Sequence, residues 1–160
     1  KIAPILLKKT DTNKIRLILM MFGGGPAIRA KTYRIFHKHD TNVVLDEIVV
    51  WAKEAVSMLG CSPCTLAVGI GRSHFEASAL MMEAIAEGNY FVQSELEKQI
   101  TARMNAAGIG PLGLHGDMSV LATFLKVGPQ RASGVRIVCI RPCCCFEPRI
   151  AAIDLTNRME

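Results

Sequence analysis

The stretch GCSPCTLAVGIGRS, residues 60–73, predicts a turn, a strand and the start of a helix in direct succession. Residues 65–70 form an apolar run of strand length. The glycines at the end of that run allow a tight turn, and Ser73 with Glu76 forms a capping box that opens the next helix. A strand that leads at once into a helix is typical of α/β and α+β folds.

Outward from this stretch, apolar runs and helical patterns follow one another along the chain. The expected elements are a strand at 15–22, helices at 44–59, 73–88 and 94–108, and strands at 65–70, 119–127 and 135–141. We interpret residues 15–22 as a buried strand because the run is apolar throughout. Residues 29–42 are basic and polar, which predicts an exposed loop with some local structure. This order predicts a mixed sheet packed with helices, an α/β or α+β fold.

The composition is that of a globular protein. The length of 160 residues and the mass of 17.5 kDa fit one domain, and a hydrophobic share of 50% excludes intrinsic disorder. No apolar run approaches the roughly 18–20 residues that a membrane span needs, and the N-terminus does not resemble a signal peptide. We therefore expect a cytoplasmic protein with no membrane partner.

The charge balance is moderate. A net charge of +5 comes from scattered basic residues, and only 6% of the residues are aromatic, which argues against nucleic-acid binding. A small anionic substrate accounts for the positive excess equally well, although solubility alone is the commoner explanation.

Six cysteines are many for a chain without a secretion signal. Cys61 and Cys64 form a C-x-x-C pair, Cys139 stands alone, and residues 143–145 are three consecutive cysteines. Three adjacent cysteines do not easily form regular long-range disulfides, so ligation of a metal or a cluster is the leading interpretation. A C-x-x-C pair by itself fits zinc, redox or cluster chemistry and also simple core packing. At least two of the three consecutive cysteines are expected to act as small hydrophobic residues.

Three glycine-rich turns, at 23–25, 69–71 and 108–116, are the second group of candidate site residues. Glycine allows close backbone approach, and N–H groups in such turns can receive an anion, although a single turn of this kind is more often structural. His115 lies inside the third turn, where we expect a loop-packing role, whereas His37 lies in the stretch interpreted as solvated. The sequence holds no Ser/His/Asp or H-E-x-x-H pattern, which argues against a hydrolase.

In this order the motifs resemble those of class I fumarate hydratases and L-tartrate dehydratase alpha subunits. Residues 60–71 are similar to the family's G-x-C-P-P…GVGIGG, residues 105–116 to N-x-x-GIG-x-x-G-x-GG, residues 22–26 to KGGGSEN, and residues 145–149 to C-x-x-x-R. The order and rough spacing agree over residues 15–150. The ordered set is more specific than any one motif.

The resemblance implies an iron–sulfur hydro-lyase. In the family, three cysteines hold a [4Fe–4S] cluster, and its open iron acts as a Lewis acid in the reversible addition of water to a small dicarboxylic acid. The resemblance also implies an oligomeric assembly with a beta subunit or C-terminal catalytic domain that supplies the general base, so no catalytic residue is assigned in this chain. Residues 1–160 are then a single domain that resembles the C-terminal half of an alpha subunit, without the family's first cluster cysteine.

The resemblance assigns the cluster ligands by motif position. Cys61 is one ligand, which makes Cys64 an extra cysteine. The C-x-x-x-R spacing selects Cys145 as a second ligand, whereas counting from the position of the family's P-x-H-x-A motif selects Cys143. Cys144 and Cys64 are the further alternatives.

The resemblance also assigns residues to the substrate. Gly24 and Gly25 are expected to line the pocket, and Arg149 offers a cation for a carboxylate beside the cysteine ligand. Arg131 stands where the family has a substrate-contacting histidine, and its guanidinium also suits a carboxylate.

Two other interpretations stay open. The arginine at position 131 and the missing first cysteine favour a non-catalytic relative that serves as an interaction or regulatory subunit. Alternatively, Cys61, Cys64 and the later cysteines bind zinc and stabilise the module. The content of iron, sulfide and zinc in the purified protein would distinguish the three interpretations.

Overall fold

A computed structural model describes residues 5–10, 13–22, 28–143 and 149–155 of the chain. In chain order, its strands and helices are β1 (Ile15–Met21), β2 (Lys31–Phe36), α1 (Thr41–Ser57), β3 (Cys64–Gly71), α2 (His74–Glu87), α3 (Glu95–Asn105), β4 (Val120–Val127), β5 (Val135–Cys143) and β6 (Arg149–Leu155). A short 3₁₀ turn, Pro111–Gly113, precedes β4. Every predicted helix and strand has a counterpart among these elements, and β2 and β6 are additional.

Four of the strands form one mixed sheet in the order β2-β5-β3-β4. β3 runs parallel to β4 and antiparallel to β5, and β2 is antiparallel to β5 at the other side. All eight residues of β3 are buried, because this strand has a neighbouring strand on each side and helices on both faces. The predicted mixed sheet packed with helices is confirmed.

The two faces of the sheet carry different helices. α1 and α3 pack on one face through a cluster that includes Ile48 and Leu66, and α2 packs on the other through Ala67 and Ala77. Side chains alternate along β3, so successive residues of this strand contact opposite layers. Gly69 is required where α2 comes closest, because a Cβ at this position would lie 2.0 Å from the Ala77 carbonyl oxygen.

α2 and α3 begin at the predicted capping residues, whereas α1 begins after the N-cap Asp40, three residues before its predicted start. The Ser73 hydroxyl accepts the N–H of Glu76 at 3.2 Å, but the Glu76 carboxylate accepts the N–H of Arg72, so the capping box predicted at Ser73 forms only its N-cap half. The Ser94 hydroxyl accepts the N–H of Glu97 at 3.4 Å, and the Glu97 carboxylate accepts the N–H of Ser94 at 2.7 Å. α3 ends at Asn105, earlier than the predicted stop at residue 108. Within the described ranges, no helix combines the length and the apolar character that a membrane span requires.

β1 is a strand as predicted, but the prediction that it is buried is wrong. Among the described residues it pairs only with β6, in a separate two-stranded antiparallel ribbon. Ile15 is 70% exposed, and Leu17, Leu19 and Met21 are 57%, 57% and 60% exposed. An apolar run does not reveal whether a second layer covers the strand, which is why its burial was misjudged.

The prediction of a loop at residues 29–42 is wrong, because the stretch contains a strand, whereas most of its residues are exposed as predicted. β2 lies within this stretch as an edge strand, where Ile35 is 3% exposed. His37, which was expected to be solvated, is 4% exposed, and its Nδ1 accepts the backbone N–H of His39 at 2.9 Å. Polar and basic residues on the solvent side of the strand, such as Arg34, hid the short apolar alternation.

Candidate functional site

Three of the sequence motifs lie at one edge of the four-stranded sheet. β3 and β4 are parallel and begin at this edge, and β5 is antiparallel to β3 and ends at it. The turn before β3 holds Cys61, the glycine-rich loop precedes β4, and the end of β5 holds Cys143. We call these three segments, residues 58–64, 106–119 and 141–143, the cysteine edge.

The turn that carries Cys61 is fixed against the glycine-rich loop. The N–H of Leu112 donates to the Leu59 carbonyl at 2.7 Å, and the N–H of Cys64 donates to the Ser119 carbonyl at 3.0 Å. Between these two anchors, Cys61 is exposed. The fold therefore presents a thiol to solvent from a turn whose two ends are held.

Asn105 and Ser119 organise the glycine-rich loop. The Asn105 Oδ1 accepts the N–H groups of Ser119 and Val120, each at 2.9 Å, and its Nδ2 donates to the Val120 carbonyl at 2.9 Å. The Ser119 Oγ accepts the N–H groups of Ile109 and Gly110 at 3.0 and 3.2 Å. These two amides are thus occupied within the loop and do not face an anion. Sequence reasoning missed the role of both side chains, and the asparagine just before the glycine run was the available signal.

His115 folds back onto the glycine-rich loop, as the loop-packing prediction expects. Its Nδ1 lies 3.1 Å from the Gly108 carbonyl oxygen, and its backbone φ is +73°. Gly110 has a φ of +64°, and a Cβ there would lie 2.2 Å from the His115 carbonyl oxygen, so only glycine fits. His115 therefore belongs to the framework of the loop.

Cys64 and Cys143 lie on neighbouring strands but on opposite faces of the sheet. Cys143 pairs with Thr65, the residue after Cys64. Because side chains alternate along a strand, Cys64 packs in the cluster under α1 and α3, and Cys143 packs in the cluster under α2. Their exposed fractions are 0% and 5%. The structure brings the two backbones together and places the sheet between the two sulfur atoms.

Four of the predicted site residues lie outside the described residues, namely Gly24, Gly25, Cys144 and Cys145. Arg149 is exposed at the start of β6, opposite Met21 at the end of β1. In the part of the chain that the structure describes, no group of three or more His, Cys, Asp or Glu side chains is arranged to hold a metal ion.

Arg141 is a charged residue at the cysteine edge that sequence reasoning missed. It lies on β5 opposite Ala67, so its side chain shares the α2 face with Cys143. Only 9% of Arg141 is exposed, and its guanidinium carbon lies 4.3 Å from the centre of the Phe22 ring. Its Nη1 is 4.0 Å from the Met82 sulfur, and its buried Nε has no hydrogen-bond partner within the described ranges. The signal in the sequence was an arginine near the end of an apolar strand.

Arg131 lies at the opposite edge of the sheet. Its Nη1 donates to the Arg72 carbonyl at 3.2 Å, just beyond the end of β3. There Arg72 and Glu76 form an ion pair at 2.7 Å, and the hydrogen bonds from Arg72 hold the pKa of Glu76 below its usual value. These residues line a surface cavity of about 670 Å³. β3 has eight residues, or about 23 Å, so the structure does not bring Arg131 and Cys61 together.

Residues 2–153 match the family model for fumarate hydratase (Fumerase). The chain belongs to the fumarate hydratase family. The match confirms the resemblance drawn from the ordered motifs, because it spans nearly all of the 160 residues. No curated protein matches the chain. Membership in this family makes hydration and dehydration chemistry the first function to consider for the cysteine edge.

Proposed function

We propose that this fumarate hydratase family member is a subunit of a hydro-lyase that reversibly adds water to a dicarboxylic acid, as a fumarate hydratase or a tartrate dehydratase does. The cysteine edge supports this proposal, because the Cys61 turn, the glycine-rich loop and the strand that leads into the cysteine triplet meet there. In the proposal, a beta subunit or a C-terminal catalytic domain supplies the general base, in an oligomeric assembly located in the cytoplasm.

A [4Fe–4S] cluster is the cofactor that the family resemblance implies, and it would supply an open iron as a Lewis acid. The described residues do not by themselves fit such a cluster. Of the described thiols, only that of Cys61 is exposed, and those of Cys64 and Cys143 are buried on opposite faces of the sheet. In the proposal, Cys61 is one ligand and Cys145 the second, with Cys143 and Cys144 as its alternatives. The third ligand is none of the thiols that the structure describes.

The proposed substrate contacts fall into two groups. Phe22, which precedes the glycine triplet in the sequence, contacts Arg141 at the cysteine edge, and Arg149 begins β6 shortly after the cysteine triplet in the sequence. Arg131 lies at the opposite edge, which is separated from the cysteine edge by the length of β3, about 23 Å. In the proposal, it contacts the same substrate only if another copy of the chain brings it there.

The decisive experiment is anaerobic reconstitution with iron and sulfide, in the presence of the beta subunit or catalytic domain of a fumarate hydratase. Iron and sulfide are then counted per chain, and hydration of fumarate is followed by its ultraviolet absorbance. We expect Cys61→Ser to lose the cluster absorbance and the activity. Cys64→Ser is the matched control three residues away, and it should keep both because this thiol is buried under α1 and α3.

Two results would contradict the proposal. A Cys61→Ser protein that retains iron, sulfide and activity would remove Cys61 as a ligand. If the wild-type protein stays colourless after reconstitution and does not hydrate fumarate, the proposed hydro-lyase function is wrong.

The buried positions of Cys64 and Cys143 favour a second candidate, a non-catalytic relative that serves as an interaction or regulatory subunit. This candidate predicts a stable complex with the partner and iron at background level. A zinc-stabilised module is the third candidate, and the described residues hold no group of three metal-ligating side chains for it, just as they hold none for the cluster. Stoichiometric zinc in freshly purified protein would favour the zinc module over both other functions.

A further inference from the structure

Arg141 is a buried cation without a counter-charge in the described part of the chain. Its exposed fraction is 9%, and none of the ion pairs formed there includes it. Two acidic residues of the helix packed over it are engaged elsewhere, Glu83 with Lys8 and Glu87 with Lys126. The buried Nε of Arg141 also lacks a hydrogen-bond partner among the described residues.

A buried charge of this kind destabilises the folded protein unless an opposite charge compensates it. A buried polar group that stays unsatisfied in a native fold therefore points to a missing ion, water or ligand. The Phe22 ring covers one face of the Arg141 guanidinium. Stacking of this kind leaves the N–H groups in the plane of the guanidinium able to donate to an anion.

The position of Arg141 connects it with the proposed site. Phe22, which stacks on it, is the residue before the glycine triplet. Cys143, which shares its face of the sheet, is the residue before Cys144 and Cys145. In the sequence, the glycine triplet therefore directly follows Phe22, and Cys144 and Cys145 directly follow Cys143.

We propose that Arg141 binds a carboxylate group of the dicarboxylic substrate. The identity of the ligand rests on the proposed function. A guanidinium presents two parallel N–H groups that match the two oxygens of a carboxylate, and this pairing would neutralise the charge and satisfy the buried Nε. Arg141 belongs to none of the motifs that carry the family resemblance, so the assignment comes from this chain alone.

Thermal unfolding of the whole chain with and without succinate tests the proposal, because succinate is a dicarboxylate that cannot be hydrated. At matched ionic strength, saturating succinate should raise the unfolding midpoint of the wild type by about 4 °C or more. Arg141→Met should abolish this rise. The control Arg16→Met, on an exposed arginine paired with Asp154, should keep it. A wild type without a response, or an Arg141→Met protein with the full response, would overturn the proposal.

The ligand-free proteins separate binding from a purely structural role. If Arg141 is retained for a ligand, Arg141→Met should unfold about 2–4 °C above the wild type, because the change removes an unpaired buried charge. If Arg141 only packs against Phe22, the same change should lower the midpoint. For a variant that is less stable or does not fold, the Nε–H resonance of Arg141 in the wild type decides by NMR. A shift on adding succinate supports the proposal, and an unchanged resonance overturns it.

Failure of this inference is distinguishable from failure of the proposed function. If succinate binds through Arg141 but the assembled protein does not hydrate fumarate, the binding role of Arg141 is supported and the hydro-lyase function is contradicted. If the assembled protein hydrates fumarate and Arg141→Met binds succinate with unchanged affinity, the hydro-lyase function is supported and the binding role of Arg141 is contradicted.

Discussion

The two edges of the four-stranded sheet differ in how their charges are compensated. At the edge where β3 ends, Arg72 pairs with Glu76, and Arg136 donates to the Pro129 carbonyl at 2.7 Å. At the cysteine edge, Arg141 is buried without a comparable partner among the described residues. The fold itself accounts for the first set of charges. The second requires a partner that the described residues do not supply, which is why we place the function there.

The glycine-rich turns, unlike the charged residues, have structural roles at both edges of the sheet. At the edge where β3 ends, Gly69 and Gly71 leave room for the first turns of α2, whose backbone at Ala77 would collide with an added Cβ at either position. At the cysteine edge, Gly110 is needed for its positive φ and its contact with His115. Packing and backbone conformation explain these glycines, so a glycine motif alone does not locate an anion site.

The largest effect is expected for Gly69→Ala, which would break the packing that supports the edge where β3 ends. A Cβ there would lie 2.0 Å from the Ala77 carbonyl oxygen and 2.3 Å from the Met81 nitrogen, so α2 must move away. We expect a loss of about 3 kcal/mol in the free energy of unfolding, measured by urea titration. Gly60→Ala, which has open space around the added Cβ, should change it by less than about 0.5 kcal/mol. Equal losses in the two variants would contradict the close contact.

A smaller effect is expected for Asn105→Ala, which tests the framework of the cysteine edge. The change leaves the N–H groups of Ser119 and Val120 without their acceptor and should cost about 2 kcal/mol in unfolding free energy. Hydrogen exchange at these two amides should become faster. Asn42→Ala, an exposed asparagine in the first turn of α1, should stay within about 0.5 kcal/mol of the wild type. Unchanged exchange at Ser119 and Val120 would show that another group holds the loop.

The smallest effect is expected for Glu76→Gln, which sharpens the description of the compensated edge. Hydrogen bonds from Arg72 lower the pKa of Glu76 in the folded state. Its stabilising contribution is therefore present above the unfolded-state pKa, about 4.3, and disappears as the pH falls through the lower folded-state value. Urea titrations between about pH 5 and 3 should show a slightly flatter loss of stability for Glu76→Gln than for the wild type. High salt should shrink the difference, and an effect that grows with salt would contradict the ion pair.

The parts of the fold that could be predicted from the sequence are those set by neighbouring residues. The N-cap at Ser73, the capping box at Ser94 and the strand at 65–70 depend on a few adjacent side chains, and they lie where predicted. The exposure of β1 and the burial of His37 depend on elements that are distant in sequence. No local pattern reports those neighbours, so both were misjudged.

The same limit applies to the candidate site. The ordered motifs led to the family and to the segments that meet at the cysteine edge. The separation of Cys64 from Cys143 depends on the register between β3 and β5, and a shift of one residue would place both sulfur atoms on the same face. Neither segment encodes that register by itself. Arg141 could have been found, because a charge inside an apolar strand is visible in the sequence.

The β1–β6 ribbon affects how the isolated chain behaves in the test tube. Ile15, Leu17, Leu19 and Ile153 share one side of it, and each is more than half exposed, at 70%, 57%, 57% and 56%. An exposed apolar surface on a two-stranded ribbon promotes aggregation at high protein concentration. Heat tolerance and metal uptake are therefore best compared across several dilutions, so that the behaviour of single molecules is not confused with that of their aggregates.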